Sequence, residues 1–221
     1  MKFRITLLTS AFTLSAVIVP AIADAVEAPA ESRTVRGAAA PPPPPAVAVA
    51  RDLLDTLEVA EPGSLEGYSR ARFPHWVTIE GTCNTREIVL RRDGQNVTTD
   101  AECRAVSGVW ESPYDGATWT DASDVDIDHM VPLAEAWRSG AASWSQTERR
   151  GFANDLESSQ LWAVTDHVNQ AKGDKDPARW RPPLRTFHCE YARSWIEVKA
   201  KWRLSVDASE KEALREMLGT C

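Results

Sequence analysis

The sequence has no excess of positive charge. Its 221 residues carry 25 Lys and Arg against 32 Asp and Glu, a formal net charge of −7. Bulk positive charge as the means of holding nucleic acid is thereby disfavoured, leaving room only for a local basic face. A single apolar stretch approaches the length of a membrane span, which excludes a multi-span membrane protein. There are no internal repeats. The four cysteines offer no Cys-x-x-Cys or Cys-x-x-His spacing, which speaks against a zinc site. What is present is ordinary for a globular chain: 43% hydrophobic and 26% charged residues, with nine Trp. That balance excludes whole-chain disorder, collagen and coiled coil, and the length suits one domain with appendages.

The start of the chain reads as a secretory signal over 1–25. Lys2 and Arg4 precede the apolar Ile5–Ala21, and Ala21-Ile22-Ala23 and Ala23-Asp24-Ala25 both offer small-x-small cleavage sites. No Cys lies nearby, which speaks against a lipid anchor. Residues 26–50 are rich in Ala, Pro and Val and include the run Pro41–Pro45, so they read as a semi-rigid spacer. The folded part is then 51–221, secreted and free of the membrane after signal cleavage. In an oxidising compartment its cysteines are expected to pair. Of three possible pairings, Cys83–Cys103 and Cys189–Cys221 each close a local loop and are preferred.

Turn residues at Ser112-Pro113-Tyr114-Asp115-Gly116 separate Val109-Trp110 from Thr118-Trp119-Thr120, a small β-hairpin. Val125–Val131 alternates apolar and acidic residues as a strand would, and Pro132 ends it. Leu161–Val164 is a second short strand. Helices are predicted over 50–59, 85–92, 133–138, 146–156, 186–203 and after Asp207. Ser145-Gln146-Thr147-Glu148 forms a capping box, and Asp166 is placed to cap a helix carrying Asn169 and Lys172. Asp176-Pro177 reads as the start of another helical turn. The fold class is α+β.

Charge is unevenly spread. Asp100–Glu135 holds nine acids against Arg104 alone, whereas Asn169–Arg203 holds nine bases against four acids. The densest signal is Asp124-Val125-Asp126-Ile127-Asp128-His129. Crowded carboxylates need a compensating cation, and oxygen-rich clusters select Mg²⁺, Ca²⁺ or Mn²⁺. A histidine beside them can take a proton from water. Downstream stand Asn154, then Asn169 and Lys172 at i, i+3 on one helix face.

This order, an Asp-His strand, an Asn-bearing excursion, a second strand and a helix with Asn and Lys, resembles the HNH endonucleases of ββα-metal type over residues 126–175, with the core motif in 124–176. The wider frame of Phe73-Pro74-His75-Trp76, Ser112–Gly116 and Trp180-Arg181-Pro182-Pro183 is similar to secreted actinobacterial HNH-family proteins over most of 68–218. The resemblance implies Asp128 and Asn169 as metal ligands, His129 as general base and Asn154 as a brace of the loop and the base. It implies hydrolysis of DNA, with RNA left open, at low sequence specificity, with one divalent ion (Mg²⁺ or Mn²⁺) and 5′-phosphate and 3′-hydroxyl products. Asp126 shares the Asp128 face, as a further ligand or a supporting group.

Lys172 and Lys175 are candidate phosphate contacts, as is Arg86, for which an internal ion pair is the rival reading. His75 looks packed, His188 belongs to a disulfide region, and His167 precedes the Asn169 turn. Neighbouring strand residues point to opposite faces, so Asp128 and His129 can address one ion only if the strand ends or bulges there. The rival from another class is a noncatalytic exported module whose acidic loop binds a cation and whose basic stretch binds envelope polymer. That module has no use for His129.

Overall fold

The computed structural model describes residues 41–221. The signal segment and residues 26–40 lie outside the described residues. The run Pro41–Pro45 is seated on the domain: Ser159 Oγ donates to Pro42 O (2.8 Å), and the Arg193 guanidinium donates to Pro44 O (3.0 Å) and Pro45 O (2.7 Å). A polyproline strand has no internal hydrogen bonds, so its carbonyls go to whatever donors stand ready. Helix α1 (Val47–Thr56) follows, and Ala50 and Leu54 are buried. The folded part therefore starts inside residues that composition assigned to a spacer.

Next come the short pair β1 (Thr78–Glu80) and β2 (Cys83–Asn84), then α2 (Thr85–Asp93), which Asn84 and Glu87 open with a reciprocal capping box. Strands β3 (Gln95–Thr99), β4 (Ala105–Glu111) and β5 (Thr118–Trp119) form an antiparallel sheet. The expected hairpin is its β4–β5 half, with Trp110 opposite Trp119. The chain continues through β6 (Val125–His129), α3 (Leu133–Arg138), α4 (Gln146–Ala153), β7 (Leu161–Thr165), α5 (Asp166–Lys172), α6 (His188–Lys201) and α7 (Ala208–Leu218). The class is α+β, with disulfides Cys83–Cys103 and Cys189–Cys221.

Strands β6 and β7 form a two-stranded antiparallel sheet buried on both faces. Val125, Ile127, Leu161 and Ala163 pack with Val89, Leu90 and Trp110 in a smaller core. Trp162 and Val164 face the larger core, which holds Tyr114, Tyr191, Trp195 and the inner faces of α1, α3, α6 and α7. Period-two alternation then sends Asp126 and Asp128 to the side of the larger core. The register runs from Val125↔Thr165 to His129↔Leu161 with no shift, so the strand ends at His129 and does not bulge. Val131 is not paired with a strand: its N–H and C=O are taken by the side-chain amide of Gln160 (3.1 and 3.0 Å).

Three boundaries differ for visible reasons. α4 stops at Ala153 because Asn154 turns out of the helix and spends its amide elsewhere. Asp166 is the first residue of α5, not its cap. Asp176 makes only a turn, its Oδ1 accepting from the N–H groups of Ala178 (2.8 Å) and Arg179 (3.2 Å).

Candidate active site

At the end of β6, His129 is buried and its Nε2 lies 3.0 Å from the carbonyl oxygen of Ala153. A carbonyl only accepts, so Nε2 carries the hydrogen and Nδ1 of the neutral ring bears the lone pair. Burial pushes the imidazole down to about 3, helped by the positive charges of Arg70 and Lys172 and by His75, which keeps it a neutral base at pH 7. The indole of Trp76 stacks on it, with centroids 5.4 Å apart and planes at 25°. Trp76 adopts φ 56°, a left-handed conformation unusual for a bulky side chain and of the kind that clusters at functional sites.

Asp128, next to it, is also buried. Its Oδ2 accepts from Lys172 Nζ (2.6 Å) and from the Tyr114 hydroxyl (2.5 Å), leaving Oδ1 without a hydrogen-bond partner among the described residues. Burial raises the Asp128 carboxyl, and Lys172 and Tyr114 oppose that shift; burial lowers Lys172, and Asp128 opposes it. The Lys172 ammonium also donates to His129 O (2.7 Å). Lys172 is 0% exposed. It is therefore not a surface contact for phosphate, as its place in a basic stretch suggested. The i, i+3 spacing that pairs it with Asn169 instead drives it under the strand, where it fixes Asp128.

Asp126, one residue pair further back, accepts from Asn169 Nδ2 (3.0 Å). Burial raises its carboxyl, with the nearby Asp166 carboxylate adding to the shift and Asn169 opposing it. The bond orients the Asn169 amide and leaves its Oδ1 without a partner among the described residues. Asp128, His129 and Asn169 line one cleft of about 250 Å³, which Tyr68, Arg70 and Asp174 also border. Among the described residues no three His, Cys, Asp or Glu side chains gather around one point. The donors that fit a divalent ion are the Asp128 carboxylate and the Asn169 amide oxygen, the sparse oxygen set of an ion that keeps several waters.

The remaining candidates fall elsewhere. Asn154 Oδ1 accepts from Thr85 Oγ1 (2.7 Å) and Val77 N (3.2 Å), while Nδ2 donates to Pro74 O and Arg150 O (both 2.7 Å). With both ends engaged it is a brace rather than a reacting group, and it sets Ala153 in place for His129. Arg86 donates to Ala122 O and Val125 O (both 3.1 Å) at the far end of β6, so it secures the strand's entry, not a phosphate. The internal ion pair that was its rival reading is not found among the described residues. Lys175 is exposed, its Nζ near Ala171 O (2.7 Å). His188 bonds Pro182 O (2.9 Å), and His167 is exposed. Sequence reasoning missed Tyr114, Arg70 and the stacking role of Trp76. The turn Ser112–Gly116 and the run Phe73–Trp76 were visible as frame, but not their contacts with β6.

Comparison with known proteins gives two findings. Residues 86–217 match the family described as GmrSD restriction endonucleases, C-terminal domain. A protein of the fungus Arthroderma benhamiae, described as an uncharacterized secreted protein, is 62% identical over 172 residues, which cover 78% of this chain and 84% of its own. That relative is fungal, so the narrower likeness to actinobacterial proteins is unsupported. No solved structure matches. Among the described residues no helix is long and apolar enough to cross a membrane.

Proposed function

We propose, from the premise that this chain belongs to the family of GmrSD restriction endonuclease C-terminal domains, that it is an exported, metal-dependent endonuclease of HNH type. β6, β7 and α5 correspond to the ββα-metal core. The carrying observation is the neutral His129, locked by Ala153 O with Nδ1 as its acceptor, in one cleft with Asp128 and Asn169. Export is supported by the signal-like residues 1–25, the two disulfides and the secreted relative.

In this reading His129 Nδ1 takes a proton from water as its oxygen forms the new bond to phosphorus. The bond from phosphorus to the 3′ oxygen breaks, and that oxygen is protonated by solvent, leaving 5′-phosphate and 3′-hydroxyl ends. Asp128 and Asn169 would hold Mg²⁺ or Mn²⁺, which supplies charge neutralisation at the phosphoryl group and the departing oxygen. Lys172 and Tyr114 hold the Asp128 carboxylate in one orientation, and Asp126 does the same for Asn169. Ala153 O keeps the base in its reactive tautomer. The substrate is DNA, with RNA as an open second, and the exposed Lys175, next in sequence to Asp174 of the cleft wall, is available to phosphate.

The test is nicking of supercoiled plasmid, with an RNA substrate in parallel, by the exported chain and its His129→Ala variant in Mg²⁺, Mn²⁺ and EDTA at low salt. Metal-dependent cleavage should fall by about 10²- to 10⁴-fold in the variant. Equal cleavage by both proteins would remove His129 from the role. No cleavage by folded, oxidised wild type would favour the cation-binding module.

A further inference from the structure

The charged groups bordering the cleft do not balance. Asp128 is neutralised by Lys172 beneath it. Asp174 is held by Arg138, whose Nη1 lies 2.9 Å from its Oδ2 and whose Nη2 donates to its backbone oxygen (2.8 Å). His129 is neutral. Arg70 alone has no carboxylate within ion-pair distance among the described residues, and it is exposed on the cleft wall.

Arg70 is nevertheless held in place. It opens a 3₁₀ turn, Arg70–Arg72, which the Arg149 guanidinium secures through Arg72 O (3.2 Å). His75 Nδ1 donates to Phe73 O (2.8 Å), so its Nε2 is the acceptor that receives Arg70 Nε (3.4 Å). That contact leaves the two terminal nitrogens of the guanidinium for a ligand. The following loop is pinned by Asn154 at Pro74 and Val77, and it carries Trp76 onto His129. A fixed, uncompensated guanidinium beside a base and an oxygen-donor pair presents a fork to the non-bridging oxygens of a phosphodiester.

We propose that Arg70 is a catalytic residue that contacts the scissile phosphate, with His75 positioning it. The proposal rests on the nuclease reading above. Arg70 lies upstream of residues 86–217, so this part of the site comes from outside the stretch matched by the family. The guanidinium stabilises charge gathering on the phosphoryl oxygens and neither gains nor loses a proton.

The experiment compares plasmid nicking by wild type, Arg70→Ala and Arg70→Lys, with melting curves and with added millimolar guanidinium. Arg70→Ala is expected to lose about 10²-fold or more in kcat at unchanged Tm. Arg70→Lys should retain part of the rate, and guanidinium should restore activity to the alanine variant but not to wild type treated alike. His75→Ala should show a smaller loss in kcat, recovered in His75→Gln, whose side chain also offers an acceptor. Should Arg70→Ala melt early, Arg70→Gln keeps the stem and takes its place. Wild-type rates in the Arg70 variants would overturn the assignment and leave the nuclease standing. A wild type silent on both DNA and RNA would overturn the nuclease reading, and this proposal with it.

Discussion

Among the described residues two lysines are fully buried, and both approach one ring: Lys172 Nζ lies 5.9 Å and Lys199 Nζ 5.8 Å from the centroid of Trp195. Their surroundings differ. The three hydrogens of the Lys199 ammonium are shared among four acceptors within hydrogen-bond distance: Glu135 Oε1 (3.0 Å), Glu210 Oε2 (3.0 Å), Ser139 Oγ (2.9 Å) and Ser205 O (2.8 Å). Trp195 Nε1, the Ser139 hydroxyl and the Arg138 guanidinium complete the shells of the two carboxylates. That cluster ties α3, α6 and α7 together and is closed. Lys172 has one carboxylate and one backbone oxygen, and the carboxylate keeps an oxygen free at a cleft. Both clusters meet the rule that buried charge must be paired. Only one leaves coordinating capacity over, and that surplus separates a site from a staple.

The largest expected effect breaks the comparison on the open side. Lys172→Met leaves Asp128 without its cation, and the carboxylate, already raised by burial, takes up a proton or turns away. Nicking should fall by about 10²-fold or more, the scale of removing one preorganised electrostatic group. Loss of stability should be smaller than on the closed side, because the cleft can hydrate Asp128. Plasmid nicking and urea unfolding on the same preparation check both halves.

The closed side gives the reverse pattern. Lys199→Met leaves the buried Glu210 with no cation and Glu135 with Arg138 alone (3.2 Å), which costs about 3–5 kcal/mol of stability. Activity per folded molecule should hold. Replacing all three charges together with apolar residues of similar volume should recover most of that loss. Unfolding curves of the single and triple variants decide it. A triple variant as unstable as Lys199→Met would show that the network does more than satisfy itself.

pH sharpens the same contrast. Glu210 has Lys199 as its one cation among the described residues and shares it with Glu135, which Arg138 also holds; burial pushes Glu210 up to about 7 against the pull of Lys199, with Glu135 pushing the same way. Between its ordinary 4.5 and about 7 the native state keeps a proton that the unfolded chain has released. Stability from this group is therefore full below the lower value and is lost as pH rises through the upper one. The slope is at most about 1.4 kcal/mol per pH unit. Glu210→Gln, which carries no titrating proton, should flatten this part of the profile.

Much of the open cluster was legible in the sequence, and little of the closed one. Asp126, Asp128 and His129 alternate along one strand, and Asn169 and Lys172 recur at helical spacing, so short-range periodicity suffices to place them on β6 and α5. The disulfide pairing followed from loop closure in the same way. What each side chain touches depends on contacts distant in sequence. Tyr114 reaches Asp128 from the turn between β4 and β5, and Trp76 reaches His129 from a loop more than fifty residues upstream. Lys172 looked like surface charge because composition cannot tell a basic face from one lysine buried beneath it. Glu135, Lys199 and Glu210 lie on three helices and share no local pattern at all.

The smallest expected effect concerns the ring between the two lysines. If Trp195 transmitted charge from one cluster to the other, neutralising either lysine would change the cost of neutralising the second. Each ammonium is already matched by its own carboxylates within hydrogen-bond distance, so little net field remains to cross the indole. The stability losses of Lys172→Met and Lys199→Met should then add to within about 0.5 kcal/mol in the double variant. A larger coupling would mean that the closed cluster tunes the open one through Trp195. Lys199→Met would then also change the metal dependence of cleavage, which a staple alone has no means to do.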